Sequence, residues 1–215
     1  MKLFNILLSV SVLIFTGFTG LAQKPFVGEI KFKVSMIDTN VQQLIDDREM
    51  FVYTNDTLSR MEIMNDALGP QVSIKHMVLK KSYLLMNFMG TKLAIQTDQN
   101  KDSSKSEAFE IHYKFWGRKK INGFVLKKAT IYRDDLKETR TIWYFKSIRP
   151  DILDVYPGIK GLPADYYIGT VDGIIHYSLL SIEAKPMEKE LFGIPSDFKR
   201  ITLSEFMEHV RNIEK

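Results

Sequence analysis

From Phe26 to Val34 the chain alternates with period two: Phe26, Ile30, Phe32 and Val34 fall on one side, Glu29, Lys31 and Lys33 on the other. That pattern predicts a strand with one dry face. Further stretches read as strands over 49–54, 57–64, 71–79, 82–89, 91–97, 108–115, 121–133, 138–146, 165–170 and 173–184. Between many of them stand residues that accept tight or left-handed geometry: Asn55-Asp56, Leu68-Gly69-Pro70, Met89-Gly90, Asp134-Asp135 and Asp172-Gly173. Links this short join antiparallel neighbours, so the pattern predicts an antiparallel meander and argues against a parallel α/β sheet. One short helical turn is expected after the first strand, with Asp38 or Thr39 as cap and Val41, Leu44 and Ile45 on one side. The polar stretch 98–107 predicts a surface loop.

At the C-terminus the period changes. Thr202-Leu203-Ser204-Glu205 is a capping box, and Leu203, Phe206, Met207, Val210 and Ile213 then share one helical stripe. A helix over 203–213 follows, and its stripe is expected to dock on one face of the sheet, since a lone helix of that length does not hold in water. The fold class is mainly β (α+β), with about ten strands and a C-terminal helix.

The opening residues have another character. Lys2 precedes an apolar run from Leu3 to Leu21 with no charge, ending in Gly20-Leu21-Ala22. A basic start, an apolar middle and a small-x-small end predict a secretory signal over 1–22, cut after Ala22. The stretch is also long enough for an uncleaved anchor. The small-x-small end, followed directly by a strand, favours cleavage. Residues 23–215 are then one exported domain, working in the periplasm or outer envelope. With no cysteine in 215 residues, an acylated N-terminal Cys, disulfides and thiolate metal sites are excluded. Thirty Lys and Arg against 26 Asp and Glu leave a net charge of +4. Basic groups at Lys80-Lys81, Arg118-Lys119-Lys120 and Lys127-Lys128 read as solvated surface, and nucleic acid is not an expected partner.

Motifs for chemistry are absent. His76, His112, His176 and His209 are far apart in sequence and form no paired ligand motif. There is no phosphate-binding glycine loop and no nucleophile elbow. No catalytic residue, metal ligand or cofactor is assigned, and the chain is read as non-enzymatic. The apolar residues are more informative. Tyr83-Leu84-Leu85-Met86-Asn87-Phe88-Met89 and Ile142-Trp143-Tyr144-Phe145 offer large side chains to both faces of their strands. Either helices and loops cover both sides, or a face is left for an apolar ligand. Met61, Met64, Met77, Met86 and Met89 gather in the same region, and methionine suits adaptable surfaces as well as ordinary cores.

Several segments in order carry a resemblance: Phe26-Val27-Gly28-Glu29-Ile30, Arg60-Met61-Glu62, the run Lys120 to Ala129, Thr141-Ile142-Trp143-Tyr144-Phe145, Gly161-Leu162-Pro163, and Phe192 to Lys199. Together they resemble the domain of unknown function 4412 family of secreted proteins. That family is close in pattern to envelope proteins named for a Gly-Leu-Pro-Gly-Leu-Ile motif, of which only Gly161-Leu162-Pro163 stands here. Members often carry a Cys in the segment matching Gly123 to Lys128, which here has none. The family looks similar to the lipoprotein carriers LolA and LolB. The resemblance implies a single strongly curved antiparallel sheet, or half-open barrel, with helices closing its mouth. Fold likeness does not by itself transfer a function.

The expected function is a binder that accepts a lipid, a lipoprotein acyl chain or another apolar ligand on the concave face. Strand alternation puts Phe32, Met86, Phe88, Phe124 and Trp143 forward as lining residues. The alternative is an envelope structural or protein-interaction module without a small ligand. The oligomeric state is left open.

Overall fold

The computed structural model describes residues 25–37, 44–65, 69–97, 110–133, 138–170 and 173–213. The expected signal over 1–22, the loop 98–107, the start of the expected helical turn and the turns at Leu68, Asp134-Asp135 and Asp172 lie outside the described residues. Leu44 and Ile45, expected on that helical turn, belong to a strand instead, where Leu44 pairs with Ile37.

In chain order the strands are β1 (Gly28–Ile37), β2 (Leu44–Thr54), β3 (Leu58–Asn65), β4 (Gly69–His76), β5 (Lys81–Phe88), β6 (Thr91–Gln96), β7 (Glu110–Ile121), β8 (Phe124–Arg133), β9 (Glu138–Phe145), β10 (Leu162–Thr170), β11 (Gly173–Ala184) and β12 (Lys199–Thr202). The helix α1 (Leu203–Ile213) ends the description. All the strands share one sheet, ordered β12-β6-β5-β4-β3-β2-β1-β11-β10-β9-β8-β7. It is built from two meanders. The first runs outward from β1 to β6, and the second returns from the far edge so that β11 pairs with β1. Every pair is antiparallel except β12 on β6, which is parallel. The mainly β, open, curved antiparallel sheet with one C-terminal helix is thus the architecture present.

The expected strand number differs slightly from the one observed, as does the extent of β7, and both differences have physical causes. β12 is four residues long and can be recognised only through its partner β6. β7 extends to Ile121, beyond the expected end at 115, and turns into β8 at Asn122-Gly123, whose φ values of 47° and 83° suit a tight hairpin.

Residues directly opposite each other in a ladder share a face. One row therefore crosses the sheet as Ile182, Ile30, Val52, Met61, Ser73, Leu84, Ile95 and Ile201. We call this the inner face. Around β1, β2 and β8–β11 it buries Ile30, Phe32, Met50, Val52, Tyr144, Tyr166 and Ile182. The connection from Lys146 to Gly161 lies over them as a strap, contributing buried Ile148, Ile152, Leu153, Tyr156 and Ile159. Its polar groups fasten it to strands on both sides. Lys75 Nζ donates to the Asp151 carbonyl at 2.9 Å and to Asp154 Oδ2 at 3.0 Å. Tyr113 Oη donates to the Gly158 carbonyl at 3.1 Å and accepts from the Lys160 amide at 3.0 Å. Tyr156 Oη donates to the Tyr167 carbonyl and accepts from its amide. Gly161, where the strap rejoins the sheet, has no room for a side chain: a Cβ there would stand 2.2 Å from the Phe145 carbonyl oxygen.

The outer face is also covered in part. The segment entering β12 places Ile194 and Phe198 over Ile74, Leu85 and Ala94. This answers the question raised by the two-sided strand β5: Leu85 faces that cover, while Leu84, Met86 and Phe88 face the inner side near α1.

Candidate ligand-binding site

The inner face is less completely filled at its β5–β6–β12 end. There Met86, Leu93, Ile95 and Ile201 form a small buried group with Leu84, Phe88 and Phe206 packed against it. Helix α1 follows β12 directly. The capping box fixes the point at which it starts: the Glu205 amide donates to Thr202 Oγ1 at 3.2 Å, and the Thr202 amide and hydroxyl both donate to Glu205 Oε2, at 2.6 and 2.8 Å. Those bonds hold the Glu205 carboxyl below its ordinary value, first through the Thr202 amide and then through the hydroxyl.

The docking is narrower than the sequence stripe implies. Phe206 and Val210 are half-buried, and Phe206 meets Phe88 edge to face at 5.2 Å. Leu203 and Met207, expected on the sheet, remain 44% and 45% exposed. β12 is the edge strand of the sheet and α1 follows it directly, so the helix has neighbouring strands on one side only and part of the stripe overhangs. The Ile213 side chain lies outside the described residues.

Between α1 and the β5–β6 hairpin is a cleft of about 420 Å3 lined by Phe88, Met89, Thr91, Leu93, Lys199, His209 and Asn212. Its volume falls within the range of about 300–1,000 Å3 usual for small-ligand sites. The walls are mostly apolar, and Lys199, His209 and Asn212 supply polar groups at the margin. Met89 takes a left-handed conformation at φ 50° in the hairpin turn and is 74% exposed.

Two other hollows are less suited to an apolar molecule. Beside the strap, Ser59, Met61, Ser73, Lys75, Ser82 and Thr97 face Ile152, Leu153 and Asp154 across about 250 Å3. Its polar groups largely satisfy one another, Ser82 bonding Thr97 and Lys75 the strap. A wider hollow of about 720 Å3 on β2–β4 is bounded by Arg48, Glu49, Arg60 and Glu62 beside Phe51, Met64 and Val72, with Arg60 and Glu62 ion-paired.

The five residues put forward from the sequence occupy two regions. Met86 and Phe88 come together at the cleft, Phe88 on its wall and Met86 beneath. Phe32 is fully buried under the strap, edge to face with Tyr166 at 5.9 Å. Phe124 lies between Phe26 and Phe145, at 5.8 and 5.9 Å. Trp143 is half-buried against the same large core. Of the residues that the sequence reading missed, Leu93 was within reach, since Leu93 and Ile95 share one face of β6 by alternation. Lys199 and His209 were not, because only tertiary placement of β12 and α1 brings them to Phe88.

Titratable groups elsewhere have structural surroundings. Burial pushes the Tyr166 hydroxyl well above its ordinary range, and the stacked Tyr177 at 4.6 Å is raised by burial as well. His176 Nε2 lies 2.8 Å from Asp165 Oδ1 and its ring stacks on Tyr167 at 4.3 Å, on strands β10 and β11. None of the three hollows touches this pair. Among the described residues no group of three or more His, Cys, Asp or Glu is placed to hold a metal ion.

The fold and cleft together define a class: a curved, mostly antiparallel sheet whose inner face is closed by a strap at one end and a helix at the other. No protein-family profile matches the chain, and no curated protein matches it. Among solved structures, that of PNGF-II is similar in fold, with a TM-score of 0.53 over 86% of this chain and 13% identity. This chain corresponds to 33% of that one, about a third of its length, and a likeness at this identity concerns the fold alone.

Proposed function

We propose that this chain is an exported, non-enzymatic binding protein of the family it resembles, and that it holds one acyl chain or a similarly slender apolar ligand in the cleft beneath α1. The cleft carries the reading: an apolar wall of Phe88, Met89 and Leu93 with Lys199 and His209 at its margin suits an apolar tail with an anionic head. A helix resting on two half-buried side chains can yield to admit such a ligand, which a strap fastened from both sides cannot. The resemblance to lipid-carrier folds agrees with this reading. In the competing reading, a module for protein contacts alone, the cleft would stay empty.

Native mass spectrometry after gentle purification, followed by delipidation and add-back of palmitate, tests the proposal. One bound acyl chain is expected, and it should be lost in Thr91→Trp, which fills the cleft from an exposed position. Protein that emerges empty and takes up no palmitate refutes the reading. Equal uptake by Thr91→Trp would move the ligand away from this cleft.

A further inference from the structure

Strand β7 is an edge of the sheet, and its middle departs from the ladder. Tyr113 pairs with Ala129 and Arg118 with Lys127, so Lys114, Phe115, Trp116 and Gly117 together stand opposite Lys128 alone. Three extra residues are thus pushed out of the strand, and Gly117, at φ 108°, returns the chain to it over the Lys128 stem. Bulges re-aim side chains, and this one aims two aromatics at solvent. Phe115 and Trp116 are each 83% exposed and touch one another edge to face at 5.2 Å. No core consideration explains them.

The charge around the bulge is one-sided. From Ile111 to Lys128 the sequence holds Lys114, Arg118, Lys119, Lys120, Lys127 and Lys128 and no carboxylate. The first four are exposed on β7, with 44% exposed Val125 across from Lys120. Exposed Trp and Phe seat well at the boundary between water and hydrocarbon, and each Lys or Arg beside them is drawn to anionic headgroups. The bulge also breaks the regular row of backbone groups that an added peptide strand would need.

We propose that the β7 bulge is a docking surface for an anionic phospholipid bilayer, with Phe115 and Trp116 entering the headgroup region and Lys114, Arg118, Lys119 and Lys120 meeting its charge. The proposal does not depend on the cleft being occupied.

Co-sedimentation with vesicles tests it, using the chain from Gln23 onward, which contains every described residue, so that the apolar leader cannot insert by itself. Vesicles of phosphatidylcholine with phosphatidylglycerol should retain the protein, and raised salt should release it. Phosphatidylcholine alone should retain it weakly. Replacing Arg118, Lys119 and Lys120 by Gln should weaken retention on the order of a hundredfold, each charge contributing roughly fivefold. In a Trp143→Phe background Trp116 is the sole tryptophan, and its emission should shift to the blue on charged vesicles. Phe115→Ala with Trp116→Ala should lose retention while the circular dichroism and melting temperature stay unchanged. Three results would overturn the proposal: no retention on charged vesicles, retention unchanged in both sets of variants, or retention on a single-stranded oligonucleotide without retention on vesicles.

Discussion

The two ends of the inner face are closed by different means. Over β1, β2 and β8–β11 the strap buries five apolar side chains and is bonded to β4, β7 and β10, leaving Phe32 and Tyr166 almost without solvent contact. Over β5 and β6 the cover is a helix that offers Phe206 and Val210 while Leu203 and Met207 overhang. Polar anchoring fixes the strap in position, because displacing it would strand the Tyr156 hydroxyl and the backbone groups that it satisfies. The helix is anchored mainly by its own cap and one aromatic contact. A single sheet thus carries a closely bonded cover and a lightly seated one side by side, and the cleft lies beneath the second.

The largest expected effect is at the strapped end. Tyr166→Ala removes a fully buried ring that touches Phe32, Tyr156 and Tyr177, and should cost about 3–5 kcal/mol in urea denaturation. Phe32→Ala should fall in the same range. A cost near that of a surface substitution would mean that the strap does not seal this face.

The next effect sharpens the contrast. Phe206→Ala takes away a half-buried ring, so a loss of about 1–2 kcal/mol is expected, clearly below that of Tyr166→Ala. The variant should nevertheless lower palmitate uptake more than Tyr166→Ala does under conditions where both remain folded. Equal stability losses at the two sites would remove the distinction between core and margin.

Part of this arrangement was legible in the sequence. Period-two alternation located most strands, and short turn-forming links required antiparallel neighbours. The capping box placed the start of α1 correctly, because its hydrogen bonds lie within a few residues. The strap was not legible: between Lys146 and Gly161 no period holds, and Ile152, Tyr156 and Ile159 become core only through distant partners such as Ser59, Tyr113 and Tyr167. The same limit applies to the candidate site. Phe32 and Phe88 look alike as strand aromatics, and only the identity of the cover above each separates a core ring from a cleft wall. The aromatic pair in β7 was not legible as a pair either: the expected strand ends at Phe115 and leaves Trp116 outside it, since nothing local announces a bulge of three residues.

The smallest effects concern the cap, and they can be read through pH. Thr202→Ala should cost about 1 kcal/mol, the usual value of a lost cap, and less than Phe206→Ala. Glu205 has a carboxyl lowered from 4.5 by the Thr202 amide and hydroxyl, with Lys199 and His209 helping. A group whose folded value is depressed contributes stability above its unfolded value and loses it as pH falls through the folded one. Amide protection along 206–210, corrected for intrinsic exchange, should therefore hold above about pH 4.5 and decline below it, while protection in β10 under the strap persists to lower pH. Asp197 is also lowered, by its bond to Lys92 beside this end of the sheet, so a control is needed. Glu205→Gln keeps an acceptor for the Thr202 amide but removes the ionisation, and should flatten the decline. A decline of equal size in Glu205→Gln would assign the acid sensitivity to Asp197 and leave the helix margin without a titrating cap.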